Sequence, residues 1–421
     1  MAIALSRCKC PEAVYFPMLY DSYQAIAETS LPPRVFASYA EKLFKLWEPG
    51  AFSPPFERMA AYYELVTMAG FTHSRPEYGI DVIATPAGER QIDEAVVFST
   101  PFCDLMKFSK RGSAGEPKVL LIAPMSGHFA TLLRNTVRTL LQDHEVYITD
   151  WKNIRNTPLS EGVFDLDAFV QQIIDFIKHL GEQSHVVAVC QPTVAALAAC
   201  AVLAKAKDNR QPASLTLMAG PIDPRVNPTK VNDLANDKPI SWFKDNLIGV
   251  IPERLRGAGR RVYPGFLQIA AFMSMNVERH SKSFIDMFHH RISGDFEKAD
   301  AIKAFYQEYF AIMDLGADFY LETIERVFQK ADLPQGKLTF KGEPIDLGAI
   351  RGTFLLTVEG ERDDICAVGQ TLAAQDICAG LRPYMKSHHM QPGVGHYGVF
   401  SGRRWEAQIY PVVRNHIQAS L

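Results

Sequence analysis

A thiol, a carboxylate and an imidazole, each following an apolar run, are the groups in this sequence best suited to chemistry. Cys190 comes directly after Val186-Val-Ala-Val189. Asp363 and its neighbour Asp364 lie in Gly360-Glu-Arg-Asp-Asp-Ile365, after the run Thr353–Val358. His396 lies in Gly393-Val-Gly-His-Tyr-Gly398, after a run near Tyr384–Met390. Groups in the chain order nucleophile, acid, histidine can carry out acyl transfer. The imidazole takes the thiol proton, the thiolate attacks a carbonyl carbon, and the imidazolium then protonates the leaving alkoxide. The carboxylate holds the ring in the required tautomer. Ile365, two residues on from Asp363, is an apolar anchor where the loop returns to the core, which is part of the case for Asp363; Asp364 is the rival. Each feature alone is weak, since a lone Cys at a strand end is more often a buried structural residue. Three in this order, each after its own strand, are a stronger signal.

The elements around Cys190 are those that present a nucleophile. The β-branched run before it reads as a buried parallel strand, and Pro192 opens a helix of small residues, Thr193, Ala195, Ala196, Ala198 and Ala199. A sharp strand-to-helix turn exposes the thiol, and the helix N-terminus behind it favours negative charge there. The glycines usual two residues before and after such a nucleophile are replaced by Ala188 and Pro192. The Gln191 N–H is expected to donate to an oxyanion, joined by the backbone of Met125 or Ser126 in Pro124-Met-Ser-Gly-His-Phe129, the loop after the strand Val119–Ala123. His128 in that loop is a candidate to line the site, weighed equally against a structural role. His289-His290 and His388-His389 lack a third ligand at metal spacing, so neither metal nor cofactor is expected. Cys190 and Cys200 stand too far apart for a disulfide if a helix joins them, at about 15 Å of rise. Arg256, Arg260 and Arg261 could steer an anion, although a solvated surface is the better expectation.

The rest of the chain supplies a frame. From residue 119 the pattern alternates strand and helix, which implies right-handed crossovers on a mostly parallel sheet. The expected fold is an α/β-hydrolase with a helical N-terminal extension over 1–80 packed on the core. The core follows in two parts, 81–220 and 345–421, separated by a largely helical cap over 221–344. Pro32-Pro33 is expected to break the N-terminal helix, whose apolar stripe is assigned to core packing, and 305–328 reads as one long helix. At 421 residues, 47% hydrophobic and 22% charged, the chain has the composition of an ordinary globular protein. A net charge of −3 gives no general attraction to nucleic acid, and no apolar run of about 18 residues suggests a membrane span. Seven scattered cysteines, with Cys8 and Cys10 taken as an incidental terminal pair, point to a reducing, cytoplasmic setting.

Val189-Cys-Gln-Pro-Thr-Val-Ala-Ala-Leu-Ala-Ala199 resembles the nucleophile region of the intracellular poly(3-hydroxybutyrate) depolymerases. So do Leu121–Arg134, Tyr147-Ile-Thr-Asp-Trp151, Tyr62-Tyr-Glu-Leu65, and the loops Gly360–Ile365 and Gly393–Gly398. The resemblance spans most of the chain from about residue 18. It implies a Cys190–Asp363–His396 triad, a thioester acyl-enzyme, and a cytoplasmic storage granule of amorphous polyester as partner and substrate. Released products would be 3-hydroxybutyrate or its oligomers, and a homo-oligomer is compatible with the sequence. The related polyester synthases carry glycines around their cysteine, so Ala188 and Pro192 favour a depolymerase. A synthase or CoA-dependent acyltransferase using the same triad is the alternative, and a non-enzymatic granule-binding protein is a third reading that the intact triad disfavours.

Overall fold

A computed structural model describes residues 16–46, 53–68, 70–85 and 88–421. Cys8 and Cys10 lie outside them. Nine strands form one mixed sheet: β1 (Val82–Thr85), β2 (Gly88–Ser99), β3 (Cys103–Lys110), β4 (Lys118–Ile122), β5 (Glu145–Trp151), β6 (His185–Val189), β7 (Ser214–Met218), β8 (Phe354–Gly360) and β9 (Lys386–Gln391). Their order is β1-β2-β3-β5-β4-β6-β7-β8-β9. Pairing is antiparallel from β1 to β5 by way of β2 and β3, and parallel from β5 to β9. The fold is that of an α/β-hydrolase. Strands covered on both faces should be apolar throughout rather than alternating. Accordingly every residue of β6 and β7 is buried, as are Val119–Ile122 of β4.

Helices α3 (Arg134–Leu140), α4 (Leu166–Leu180) and α5 (Thr193–Lys205) lie between the parallel strands, and α12 (Ala373–Ile377) and α13 (Tyr410–Ala419) follow β8 and β9. A one-sided apolar stripe is right for α4, which buries Phe169, Ile173, Phe176, Ile177 and Leu180 and is capped by Asp165 accepting from the Ala168 N–H. In contrast, α5 is buried nearly all round, which its alanines permit because helix and sheet approach closely.

The stretch between β7 and β8 holds α6 (Lys230–Asn236), α7 (Ile240–Leu247), α8 (Gly265–Met275), α9 (Val277–Ile292), α10 (Phe296–Tyr309) and α11 (Ala317–Glu322). The expected long helix over 305–328 is not there. Helix α10 ends at Tyr309, and the chain then makes bridges from Ala311 to Thr72 and from Ile312 to His128 before α11 begins. Fully buried Ala311, Ile312 and Met313 explain the misreading, because a buried connector carries no periodicity of its own.

The N-terminal helices are α1 (Phe16–Leu46) and α2 (Ser53–Met68). Helix α1 runs through Pro32 and Pro33 instead of stopping there. Both of its halves are held by tertiary contacts that outweigh the missing donors: Tyr23 stacks on Phe266 of α8 at 4.0 Å, and beyond the prolines Ala37 and Ala40 are buried. The expected core-facing stripe is also corrected. Leu31, Val35, Phe36, Tyr39 and Leu43 are exposed, Phe36 at 65% and Tyr39 at 70%. Beside buried Tyr20, Ala37, Ala40, Ala60 and Ala61, the inner side of the layer also holds a charge: Glu64 of α2, 1% exposed, takes Arg291 of α9 at 2.7 Å and Lys303 of α10 at 2.5 Å.

Arg260 corrects another expectation. It is buried, and its guanidinium donates to the carbonyls of Thr157, Pro158 and Gly162, so it ties the cap to the loop after β5 rather than facing solvent.

Candidate active site

The turn after β6 puts Cys190 at φ +66°, a left-handed conformation that a residue with a Cβ adopts at a cost. Hydrogen bonds fix it there. Its N–H donates to the Met218 carbonyl of β7 at 2.7 Å, and its carbonyl accepts from Thr193 at 3.1 Å. Pro192, at φ −63°, then launches α5, its carbonyl accepting from Ala196. With no glycine flanking the thiol, room is made across the sheet. A Cβ on Gly220, just past β7, would fall 1.9 Å from Thr193 Oγ1. The thiol is partly exposed, and Cys190 and Cys200 are both free.

Asp363 and His396 meet at the ends of β8 and β9, with His396 Nδ1 2.8 Å from Asp363 Oδ2. The other oxygen, Oδ1, accepts from the amides of Ile365 at 2.9 Å and Cys366 at 2.8 Å, which holds the buried carboxylate in place. Asp364 points elsewhere: it is exposed and accepts from Asn276, the residue between α8 and α9, at 3.2 Å. Burial alone would lower the pKa of His396. The Asp363 carboxylate beside it, with a smaller contribution from nearby Cys190, more than reverses this and raises it well above the ordinary value. Asp363 and His396 are thus hydrogen-bonded to each other, Cys190 lies near enough to His396 to affect its charge, and Asp364 stands apart.

Sequence reasoning passed over Glu359. Fully buried in β8, it accepts from the amides of Gly369, Thr371 and Leu372, and Thr371 in turn bonds both the N–H and the carbonyl of Gly220. One carboxylate therefore ties the acid strand to the turn beside the cysteine. Its only signal in the sequence was an acidic residue inside an otherwise apolar strand.

Among the described residues neither Met125 nor Gln191 has a protein acceptor for its N–H. Met125 is buried and Ser126 partly so. His128 does not line the site. It is buried behind Phe272 and Tyr309, at ring distances of 6.2 and 4.9 Å, and burial lowers its pKa to about 4. The cavity in front of His396 has a volume of about 760 Å³. Aromatic side chains of α8 and α10, Phe272, Phe305, Tyr306 and Tyr309, form one wall, and the loops carrying Asp364 and His396 form the other. No group of three or more His, Cys, Asp or Glu side chains among the described residues is arranged to hold a metal ion.

Residues 219–420 match the family model of the PHB de-polymerase C-terminus. This region of the chain is a PHB depolymerase C-terminal region. The match takes in both the Asp363 and the His396 loops and the whole cap. No curated protein matches the chain. Among solved structures it is similar to an epoxide hydrolase from Bacillus megaterium, with a TM-score of 0.45 and 12% identity over 76% of this chain and 99% of that one. It is also similar to the 2-hydroxy-6-oxo-6-phenylhexa-2,4-dienoate hydrolase of Rhodococcus sp. strain RHA1 (TM-score 0.43, 13% identity, 78% and 99% covered). A thermophilic esterase from Thermogutta terrifontis is a third (TM-score 0.41, 14% identity, 78% and 99% covered). With this PHB depolymerase region over residues 219–420, the protein is a carboxylic ester hydrolase.

Proposed function

We propose that the protein is an intracellular depolymerase of stored, amorphous poly(3-hydroxybutyrate), acting through Cys190, His396 and Asp363. The observation that carries this reading is the left-handed Cys190 on its strand-to-helix turn, beside an imidazole whose far nitrogen is held by a buried carboxylate. His396 takes the proton of Cys190, and the thiolate sulfur adds to an ester carbonyl of the polymer. The amides of Gln191 and Met125 receive the resulting oxyanion in this reading, with Ser126 as the alternative to Met125. Collapse breaks the C–O bond, His396 gives its proton to the departing alkoxide, and a thioester remains on Cys190. Water, deprotonated by His396, then releases a 3-hydroxyacyl carboxylate and returns the proton to the thiol. Asp363 remains ionised throughout and orients the ring.

An insoluble substrate calls for a surface that adsorbs to it. The exposed apolar side chains of α1, Val35, Phe36, Tyr39 and Leu43, support granule association. No helix among the described residues is long and apolar enough to cross a membrane. The test is release of 3-hydroxybutyrate from amorphous granules by wild type and Cys190→Ala, with and without CoA. The expected result is release without CoA that disappears in the variant. Release that needs CoA would make the enzyme a thiolysing acyltransferase, and equal release from both proteins would remove Cys190 from the mechanism.

A further inference from the structure

Four arginines reach the cavity in front of His396: Arg279 from α9, Arg362 beside Asp363, and Arg403 and Arg404 after the histidine loop. The acids among its lining residues number one, Asp364, and that carboxylate is engaged by Asn276. None of the four arginines has a carboxylate partner among the described residues, whereas Arg75, Arg134, Arg210, Arg225 and Arg291 each pair with one. Arg404 spends one nitrogen on the Pro392 carbonyl. Arg279 lines the cavity together with Tyr306, Tyr309 and Tyr397. A chain of net charge −3 thus lines the cavity in front of His396 with four arginines against one carboxylate.

An uncharged polyester gives such a rim nothing to bind along its length. Its one anion is the carboxylate at the chain end. Resting on the function proposed above, we propose that Arg279 and Arg362, with Arg403 and Arg404 behind them, bind the terminal carboxylate of the polymer and so direct cleavage to chain ends. Guanidinium groups suit that ligand because they donate two parallel hydrogen bonds to a carboxylate. With the carboxylate held at the rim and the scissile ester at Cys190, the product is a short hydroxyacid whose length is set by that separation.

The experiment compares soluble 3-hydroxybutyrate tetramer as free acid and as methyl ester, for wild type, Arg279→Gln/Arg362→Gln, and the same pair changed to Lys. For wild type, kcat/KM should favour the free acid by about 10- to 100-fold, as a charge-assisted hydrogen bond is lost in the ester. That preference should fall toward unity in the Gln pair, chiefly through KM, and recover in part in the Lys pair. A wild type indifferent to esterification, or a Gln pair that lowers both substrates in equal proportion, would overturn the proposal. So would a Gln pair whose only loss is CoA-stimulated release, since the anion would then belong to CoA. Cleavage of the methyl ester that depends on Cys190 would keep the hydrolase reading standing in any of these cases, so the two failures are distinguishable.

Discussion

The carboxyl edge of the sheet and the N-terminal helical layer obey the same burial rules in opposite senses. At the sheet edge apolar side chains are inside and the buried carboxylates are saturated: Asp363 by two amides and His396, Glu359 by three amides. In the layer of α1 and α2 a charge cluster around Glu64 faces the protein, and Phe36, Tyr39 and Leu43 face out. The first region is finished within the chain. The second leaves apolar side chains in the open, as the proposed granule contact requires.

The sharpest way to break that comparison is to exchange neighbours at the sheet edge. Asp363→Asn should cost about 10³- to 10⁴-fold in kcat by analogy with other triads, whereas Asp364→Asn should cost less than about tenfold. Comparable losses in single-turnover assays would deny Asp363 its separate role. Next comes the close contact across the sheet. Gly220→Ala drives a methyl into Thr193 and should destabilise by about 1–3 kcal/mol in urea unfolding, with greater loss of activity than of fold.

Acid should also act on the sheet region. Burial holds His128 and His185 at about 4, below the unfolded value, so both are neutral when folded. The unfolded chain binds those protons first, and stability is lost as pH falls from about 6.5 to 4, by about 2 kcal/mol per histidine at pH 5. His396 runs the other way: its raised pKa contributes stability at low pH, lost as pH rises through the folded value. Urea midpoints at pH 7 and 5 report the balance, which should favour pH 7. The smallest effect on the fold is expected in α1. Phe36→Ser with Leu43→Ser should leave stability within about 1 kcal/mol and spare hydrolysis of a soluble ester, while adsorption to granules falls about tenfold. Unchanged adsorption in a co-sedimentation assay would mean that another face meets the granule.

What was legible in the sequence was local. The β-branched run before Cys190, Pro192 and the alanines after it specify a strand, a turn and a helix without reference to anything distant. The acid and histidine loops likewise follow recognisable strands. The backbone angle at Cys190 was not legible, because the flanking glycines that normally announce it are absent and the compensating Gly220 belongs to the next strand. The arginines around the cavity were hidden for the same reason. They come from α9, the acid loop and the segment after the histidine, and only the folded chain assembles them. Of the stripe on α1, Tyr23 packs on the core as expected while Val35, Phe36, Tyr39 and Leu43 face out, since periodicity records that a face exists and not which side the protein occupies.

The cap also sets a timetable for synthesis. Strands β7 and β8 are hydrogen-bonded neighbours, yet about 135 residues separate them in the chain. At about 5–20 residues per second a ribosome needs roughly 7–27 s to reach β8 after finishing β7. For that interval β7 is an open apolar edge, and the acid and histidine loops do not exist. Nascent chains stalled within the cap should therefore recruit chaperones most strongly, and binding should drop once β8 has emerged and closed the edge.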